Sequence, residues 1–483
     1  MNRQIVQLFG LSMLLFATLI AFTSRWAVFE AESLEEETAN KRPLIEEQRI
    51  PRGLIMARDG SVLARSVARG TGARRTFTRT YPSGPLFSHA VGYNFLTRGR
   101  VGLERSRNDE LTGKENEFSS IFSQLQSEDR EGEEVTTTLD PKAQKAALAA
   151  LGGRRGSIVA IEPQTGGVRV MVSVPEYDPN DVPERFKQLN SGAGSPLLNR
   201  ATQSRYPPGS TFKVVTAAAA LDSGKFSPQS IVDGSSPRPV SGVPLANSGG
   251  QDFGPLPLTE ALTNSVNTVW AQVGERVGRG TLVKYMERFG FNQDPLLDYP
   301  DAQMSASGVR NARGRILDGD GGFDVGRVAI GQGGSEGAIQ VTPLQMAMVA
   351  GAVGNRGKLM KPRLTEKVVD RDGRVTDRVE PEEQSIVMSE KAAGLLAQMM
   401  AGVVREGTGT AAALSGIEVA GKTGTAEVDN ATANQAWFIG FAPVERPRMA
   451  VAVTIERTQG QGGTEAAPVA KRVLETLIGG GGR

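Results

Sequence analysis

Three features of the 483-residue chain predict an α+β fold: strand-like segments at both ends of its larger part, a helix-rich interior between them, and short turn-rich links that suit antiparallel pairing. The early strands form a hairpin, 157–161 and 168–174, around a turn at 163–167. The late strands are 417–425, 435–441 and 449–455, the last two joined by a tight connection bounded by Pro443 and Pro447. Between these groups lie helical candidates at 212–221, 259–277, 281–289, 343–353 and 389–404, and a last helix covers 466–478. A glycine-heavy stretch, 308–334, reads as loop. An antiparallel sheet closed by the first and last strands accounts for this order.

Upstream, residues 5–22 are apolar apart from Gln7, Gly10, Ser12 and Thr18, about the minimum length that spans a bilayer. Arg3 precedes the segment, Trp26 marks its far interface, and Glu30, Glu32, Glu35, Glu36 and Glu37 follow, so the bulk of the chain is expected outside the cytoplasm. No A-x-A cleavage site follows, which favours a retained anchor over a removed signal peptide. Residues 1–24 are thus read as cytoplasmic tip and anchor, 25–150 as a small second domain, and 151–483 as the main domain. The small domain carries short strands at 53–56 and 62–64 around Asp59-Gly60, then a strand at 134–139, and Asp140-Pro141 opens a helix that runs to Leu151.

Composition removes several chemistries. Fifty-five basic against 53 acidic residues give a net charge of +2 without a long basic run, which sets nucleic acid aside as a partner. The absence of cysteine excludes thiolate nucleophiles, zinc fingers, iron–sulfur ligation and disulfides. With His89 the one histidine, in a region of strand and turn character, a Ser-His-Asp triad is not expected and His89 is read as structural. An activated hydroxyl in this protein needs a base other than imidazole.

The segment YPPGSTFK (206–213) supplies one. Ser210 follows two prolines and a glycine at the place of a helix N-cap, yet the position three residues on holds Lys213, where a capping box has Glu or Gln. A cation there opposes the helix dipole by about 0.3–1 kcal/mol, so capping does not explain it. Residues i and i+3 share a helix face, and a lysine whose pKa is lowered by burial and positive potential can take the proton from a serine. S-x-x-K occurs once in the chain and is weak alone, since chance predicts about two in a chain of this composition. Two more elements follow in order. Ser265 and Asn267, in NSVN, are two residues apart and cannot share a helix face, which suits a break that aims both into a cleft. Lys422, Thr423, Gly424 and Thr425 end a strand, where a cation beside two hydroxyls can grip a carboxylate and a glycine can admit a peptide to the strand edge.

S-x-x-K, S-x-N and K-T-G in that order resemble the signature of penicillin-binding proteins and serine β-lactamases. YPPGSTFK, NSVN, GKTGTAE and IGQGGSEGAIQVTPLQ (330–345) resemble the transpeptidase domain of class B penicillin-binding proteins, and RGLIMARDGSVLA (52–64) and GLERSRNDELTG (102–113) resemble the non-catalytic pedestal of that class. The short pedestal and the lead-in LLNRATQSRYPPGSTFK are most similar to the penicillin-binding protein A branch of actinobacteria. The resemblance implies an antiparallel sheet with flanking helices, an all-helical lobe and a pedestal. It implies peptidoglycan stem peptides ending in D-Ala-D-Ala as substrate and β-lactams as inhibitors. It implies Ser210 as nucleophile, Lys213 as base, Ser265 as proton relay and Asn267 as orienting amide. Lys422, Thr423, Gly424 and Thr425 would then form the substrate-binding site, with no metal or organic cofactor. A polytopic glycosyltransferase of the SEDS type is the implied membrane partner. Three rivals stay open: a D,D-carboxypeptidase, a penicillin sensor or scaffold, and a β-lactamase, the last opposed by the lack of an E-x-x-L-N pattern between Asn267 and Lys422.

Overall fold

A computed structural model describes residues 2–25, 48–72, 75–114, 131–317, 322–334, 337–428 and 432–479. Its central element is a five-stranded antiparallel sheet in the order Ala420–Val428, Ala433–Ala442, Met449–Thr458, Gly156–Ile161, Val168–Val174. Early and late strands therefore meet side by side, as expected. Every residue of the Gly156–Ile161 and Val168–Val174 strands is buried, because helices cover both faces of the sheet. Ile158, Val172, Phe438 and Val453 pack on one side with the helices Pro141–Leu151 and Gly462–Gly479. Val159, Met171, Ile439 and Ala452 pack on the other, beneath the wholly buried helix Pro343–Gly354.

The helical lobe grows around Lys213–Asp222, whose first nine residues are all buried. Two expectations change here. The helix expected over 259–277 is split into Leu258–Thr263 and Asn267–Val277, with Ser265 at a positive φ of 59° between them. The left-handed residue lets Val266 N–H bond back to Ala261 O, ending the first helix without the glycine that would announce such a stop. The stretch read as loop, 308–334, contains the strands Gly308–Arg310 and Gly333–Gly334, both paired with Gly337–Gln340, and the short helix Val325–Ala329. Gly333 serves close packing, since a Cβ there would lie 2.2 Å from Ala338 Cα.

The N-terminal domain is built on a six-stranded sheet in the order Val375–Arg378, Thr365–Val369, Glu134–Thr137, Ile55–Met56, Val62–Arg69, Thr76–Thr80. Its first two strands come from beyond the lobe, an exchange the sequence did not suggest. Helix Pro141–Leu151, capped by Asp140, packs instead on the five-stranded sheet. Asp298 fastens the domains together: its carboxylate accepts from Arg107 Nη2 at 3.1 Å and from the Leu364 and Thr365 amides. His89 is buried and donates through Nε2 to Pro175 O at 3.2 Å, and burial holds it neutral with a pKa near 4, a structural role. At the N-terminus Asn2–Ser24 forms one helix. Its stretch Arg3–Ser24 is apolar and long enough to cross a membrane, roughly 33 Å at 1.5 Å per residue.

Inside the N-terminal domain Glu104, fully buried, is gripped by Arg52 Nη2 at 3.1 Å and Arg79 Nε at 2.5 Å. Burial pushes its carboxyl up, but Arg79 and then Arg52 outweigh that and hold its pKa below the usual range. Its folded-state pKa is thus depressed, so its contribution to stability is present at neutral pH and lost as the pH falls through the acid range. Glu104→Ala would leave two buried guanidiniums without their carboxylate, at a cost of about 3–5 kcal/mol. Chemical denaturation of the detergent-solubilised chain measures this, and an unchanged midpoint would refute it.

Candidate active site

Ser210 does not cap a helix. It lies in a 3₁₀ turn, Gly209–Phe212, whose flanking residue is Pro208, and the α-helix proper begins at Lys213. The turn is held from several sides. Trp437 Nε1 donates to Pro207 O at 3.0 Å, Thr211 Oγ1 to Pro208 O at 2.8 Å, and Gly209 N to Gly331 O at 3.1 Å. Upstream, Tyr206 Oη donates to Glu456 Oε1 at 2.6 Å, and Arg200 Nε reaches the same oxygen at 2.7 Å.

Lys213, first residue of its helix, is fully buried. Its Nζ donates to Ser265 O and Asn267 Oδ1, both at 2.7 Å, and lies 3.2 Å from Ser265 Oγ. Ser210 is one turn earlier: the Lys213 backbone N–H donates to Ser210 O, and among the described residues no side-chain hydrogen bond joins Ser210 to the Lys213 amine. The break between helices sets Ser265, while Asn267 opens the next helix and donates to Ala246 O at 3.2 Å. From the edge strand Ala420–Val428, Lys422 Nζ reaches Ser265 Oγ at 2.9 Å and Thr423 O at 2.9 Å. Ser265 Oγ therefore sits between two buried amines. Thr423 Oγ1 lies 2.6 Å from Thr408 Oγ1, and Thr425 Oγ1 accepts from Gly462 N at 3.1 Å.

Burial lowers the pKa of both lysines, to about 7 for Lys422 and well below the ordinary value for Lys213, where the charge of Lys422 adds to the effect. Burial and the neighbouring charge thus favour the neutral amine at Lys213, while Lys422 titrates near neutral pH. A neutral amine, a hydroxyl and a cation in line can accept a proton from a nucleophile and pass one to a leaving group.

Glycines allow the strand to approach the nucleophile turn. A Cβ on Gly209 would lie 2.7 Å from Thr425 O, and one on Gly424 would lie 2.6 Å from Pro208 O. The space that Gly424 leaves open is thus filled by the Ser210 turn, a use of this glycine that strand-edge reasoning did not foresee. The structure brings all eight residues singled out in the sequence, Ser210, Lys213, Ser265, Asn267, Lys422, Thr423, Gly424 and Thr425, together where the lobe meets the edge strand. Trp437, Gly462, Thr408 and Glu456 escaped sequence reasoning. None falls in a motif, and each acts through a contact between segments distant in the chain.

The chain matches the family model of the penicillin-binding protein transpeptidase domain over residues 156–475. The chain belongs to this penicillin-binding protein family. Residues 52–135 match the penicillin-binding protein A dimerisation domain. A relative, peptidoglycan D,D-transpeptidase PbpA of Mycolicibacterium smegmatis, is 34% identical, over 99% of both chains. The structure of penicillin-binding protein A from M. tuberculosis as a ceftriaxone acyl-enzyme complex superposes with a TM-score of 0.79 at 32% identity, covering 90% of this chain and all of that one. The D,D-transpeptidase domain of a peptidoglycan glycosyltransferase from Eggerthella lenta gives 0.78 at 36% identity, covering 90% and 99%. Penicillin-binding proteins with this fold thus include ones whose site has been captured acylated by β-lactams.

The lysine pair sets a pH profile. The second-order rate of acylation by benzylpenicillin reports the free enzyme. It rises with pH as Lys213 loses its proton and falls above pH about 7 as Lys422 loses its charge. Stopped-flow measurement should give a bell, and a rate still climbing at alkaline pH would contradict these assignments.

Proposed function

We propose that this penicillin-binding protein is a membrane-anchored serine D,D-transpeptidase that cross-links peptidoglycan stem peptides through an acyl-enzyme on Ser210 and is inhibited by β-lactams. The observation that carries the reading is Ser265 Oγ between the amines of Lys213 and Lys422, beside the Ser210 turn. The acyl-enzyme complexes of relatives with the same fold support it.

In this mechanism Ser210 Oγ attacks the penultimate carbonyl of a D-Ala-D-Ala terminus while the neutral amine of Lys213 takes its proton. The backbone N–H groups of Ser210 and Thr425 stabilise the oxyanion. Ser265 relays a proton to the departing D-alanine, and Asn267 holds both Lys213 and the substrate amide. Lys422, Thr423 and Thr425 bind the terminal carboxylate, and Gly424 lets the Ser210 turn lie against the strand that carries them. An amine from a second stem peptide then attacks the ester and frees Ser210. The N-terminal domain, completed by strands Thr365–Val369 and Val375–Arg378, serves as the pedestal and the N-terminal helix as a single-pass anchor. Arg3, ahead of the apolar stretch of that helix, and the acidic run after it orient the catalytic domain outside the cell. A polytopic glycosyltransferase of the SEDS type, proposed on family resemblance, supplies the glycan strands.

A fluorescent penicillin should label the full chain stably and fail to label Ser210→Ala. Labelling that persists in the variant would overturn the nucleophile, and rapid turnover of the antibiotic would point to a β-lactamase. With paired stem peptides a cross-linked dimer is expected, and free D-alanine without dimer would make the protein a D,D-carboxypeptidase.

A further inference from the structure

Thr408 belongs to none of the three motifs, yet its hydroxyl is 2.6 Å from that of Thr423. Its position is fixed by backbone contacts rather than by the side chain. Thr408 N donates to Thr263 O at 3.3 Å, Gly409 N to Val403 O at 2.9 Å, and a Cβ on Gly407 would come within 2.3 Å of Thr263 O. On the other side Gly463 passes beneath it, so close that a Cβ there would lie 2.5 Å from Thr408 O. The loop after helix Glu390–Arg405 is therefore wedged between Thr263, two residues before Ser265, and the start of helix Gly462–Gly479 beside Thr425. Thr408 itself is exposed, so its hydroxyl fills no core. Among the described residues its side-chain hydrogen bond goes to Thr423.

Each of the two hydroxyls has one proton. If Thr423 donated to Thr408, it would face an incoming carboxylate with lone pairs alone. If Thr408 donates, the proton of Thr423 stays free for the carboxylate, and the accepted bond polarises it. We infer that Thr408 is a positioning residue for carboxylate recognition, donating to Thr423 Oγ1 so that Thr423 donates to the terminal carboxylate of the substrate. The inference rests on the proposed role of Lys422, Thr423 and Thr425 as the carboxylate subsite. It adds a specificity determinant supplied from outside the strand.

The test compares acylation of the full chain by benzylpenicillin and by its methyl ester, which lacks the charge, and takes the ratio of the two second-order rates. Thr408→Val is expected to lower that ratio by about five- to tenfold, as for loss of the one neutral hydrogen bond that orients Thr423, with the ester rate unchanged. Thr408→Ser should restore it. Equal loss of both rates would mark Thr408 as merely structural and overturn the inference. An unchanged ratio in Thr408→Val with a collapsed ratio in Thr423→Val would also overturn it while leaving the carboxylate subsite standing. No change in either variant would sink both.

Discussion

Two buried lysines converging on one serine hydroxyl set the terms for the rest of this molecule. Lys213 and Lys422 are both excluded from solvent, and Ser265 Oγ lies within 3.2 Å of one and 2.9 Å of the other. Two ammonium groups cannot stay charged so close together away from water, so the site keeps one lysine as an amine. That asymmetry is what an imidazole would otherwise provide, in a chain whose one histidine is buried elsewhere and held neutral. The lobe and the sheet must press tightly enough on each other to keep water out. A loosened interface would return both lysines to ordinary ammonium behaviour and leave Ser210 without a base.

The tight fit is made by backbone rather than by large side chains. Gly209 and Gly424 leave bare the faces on which the nucleophile turn meets the edge strand, Gly331 meets Gly209 O, and Gly462 meets Gly424 O. With no Cβ at these points, lobe, strand and C-terminal helix share one small volume. Trp437, from the neighbouring strand, anchors Pro207 across the same seam. The fully buried helix Pro343–Gly354 lies under the sheet beside the lobe and gives both a common core. A positive φ at Ser265 adds local backbone cost, sustained because Lys213, Lys422 and the preceding helix each hold that residue.

The N-terminal domain is stitched to the catalytic domain by chain crossing as well as by contact. Strands Thr365–Val369 and Val375–Arg378 leave the lobe to complete its sheet, and Asp298 ties Arg107 to the point where they depart. From the same loop, Gln303 Oε1 accepts from Gly102 N, and Thr202 Oγ1 donates to Gln303 O, four residues before Tyr206. A continuous hydrogen-bonded route thus joins the small domain to the segment that delivers Ser210. Several separate chain segments would have to part together for the two domains to come apart.

Hydrophobic pattern and turn residues in the sequence determined the sheet strands, most of the helices and the membrane-length apolar segment, through local alternation and periodicity. The misfit of Lys213 as a cap marked the Ser210–Lys213 pair, and the other six site residues were read from the order of the motifs and their resemblance to penicillin-binding proteins. The tertiary structure alone decided that Ser210 rides a 3₁₀ turn, that the second motif breaks a helix at a left-handed serine, and that two late strands belong to the first domain. It also brought Thr408 to Thr423 and Glu456 to Tyr206. Each of these is a pairing between groups far apart in the chain, and a single sequence carries no term for the distance between them. The state of the two lysines is of the same kind, because a pKa set by burial and by a neighbouring charge exists only once the chain has folded around both.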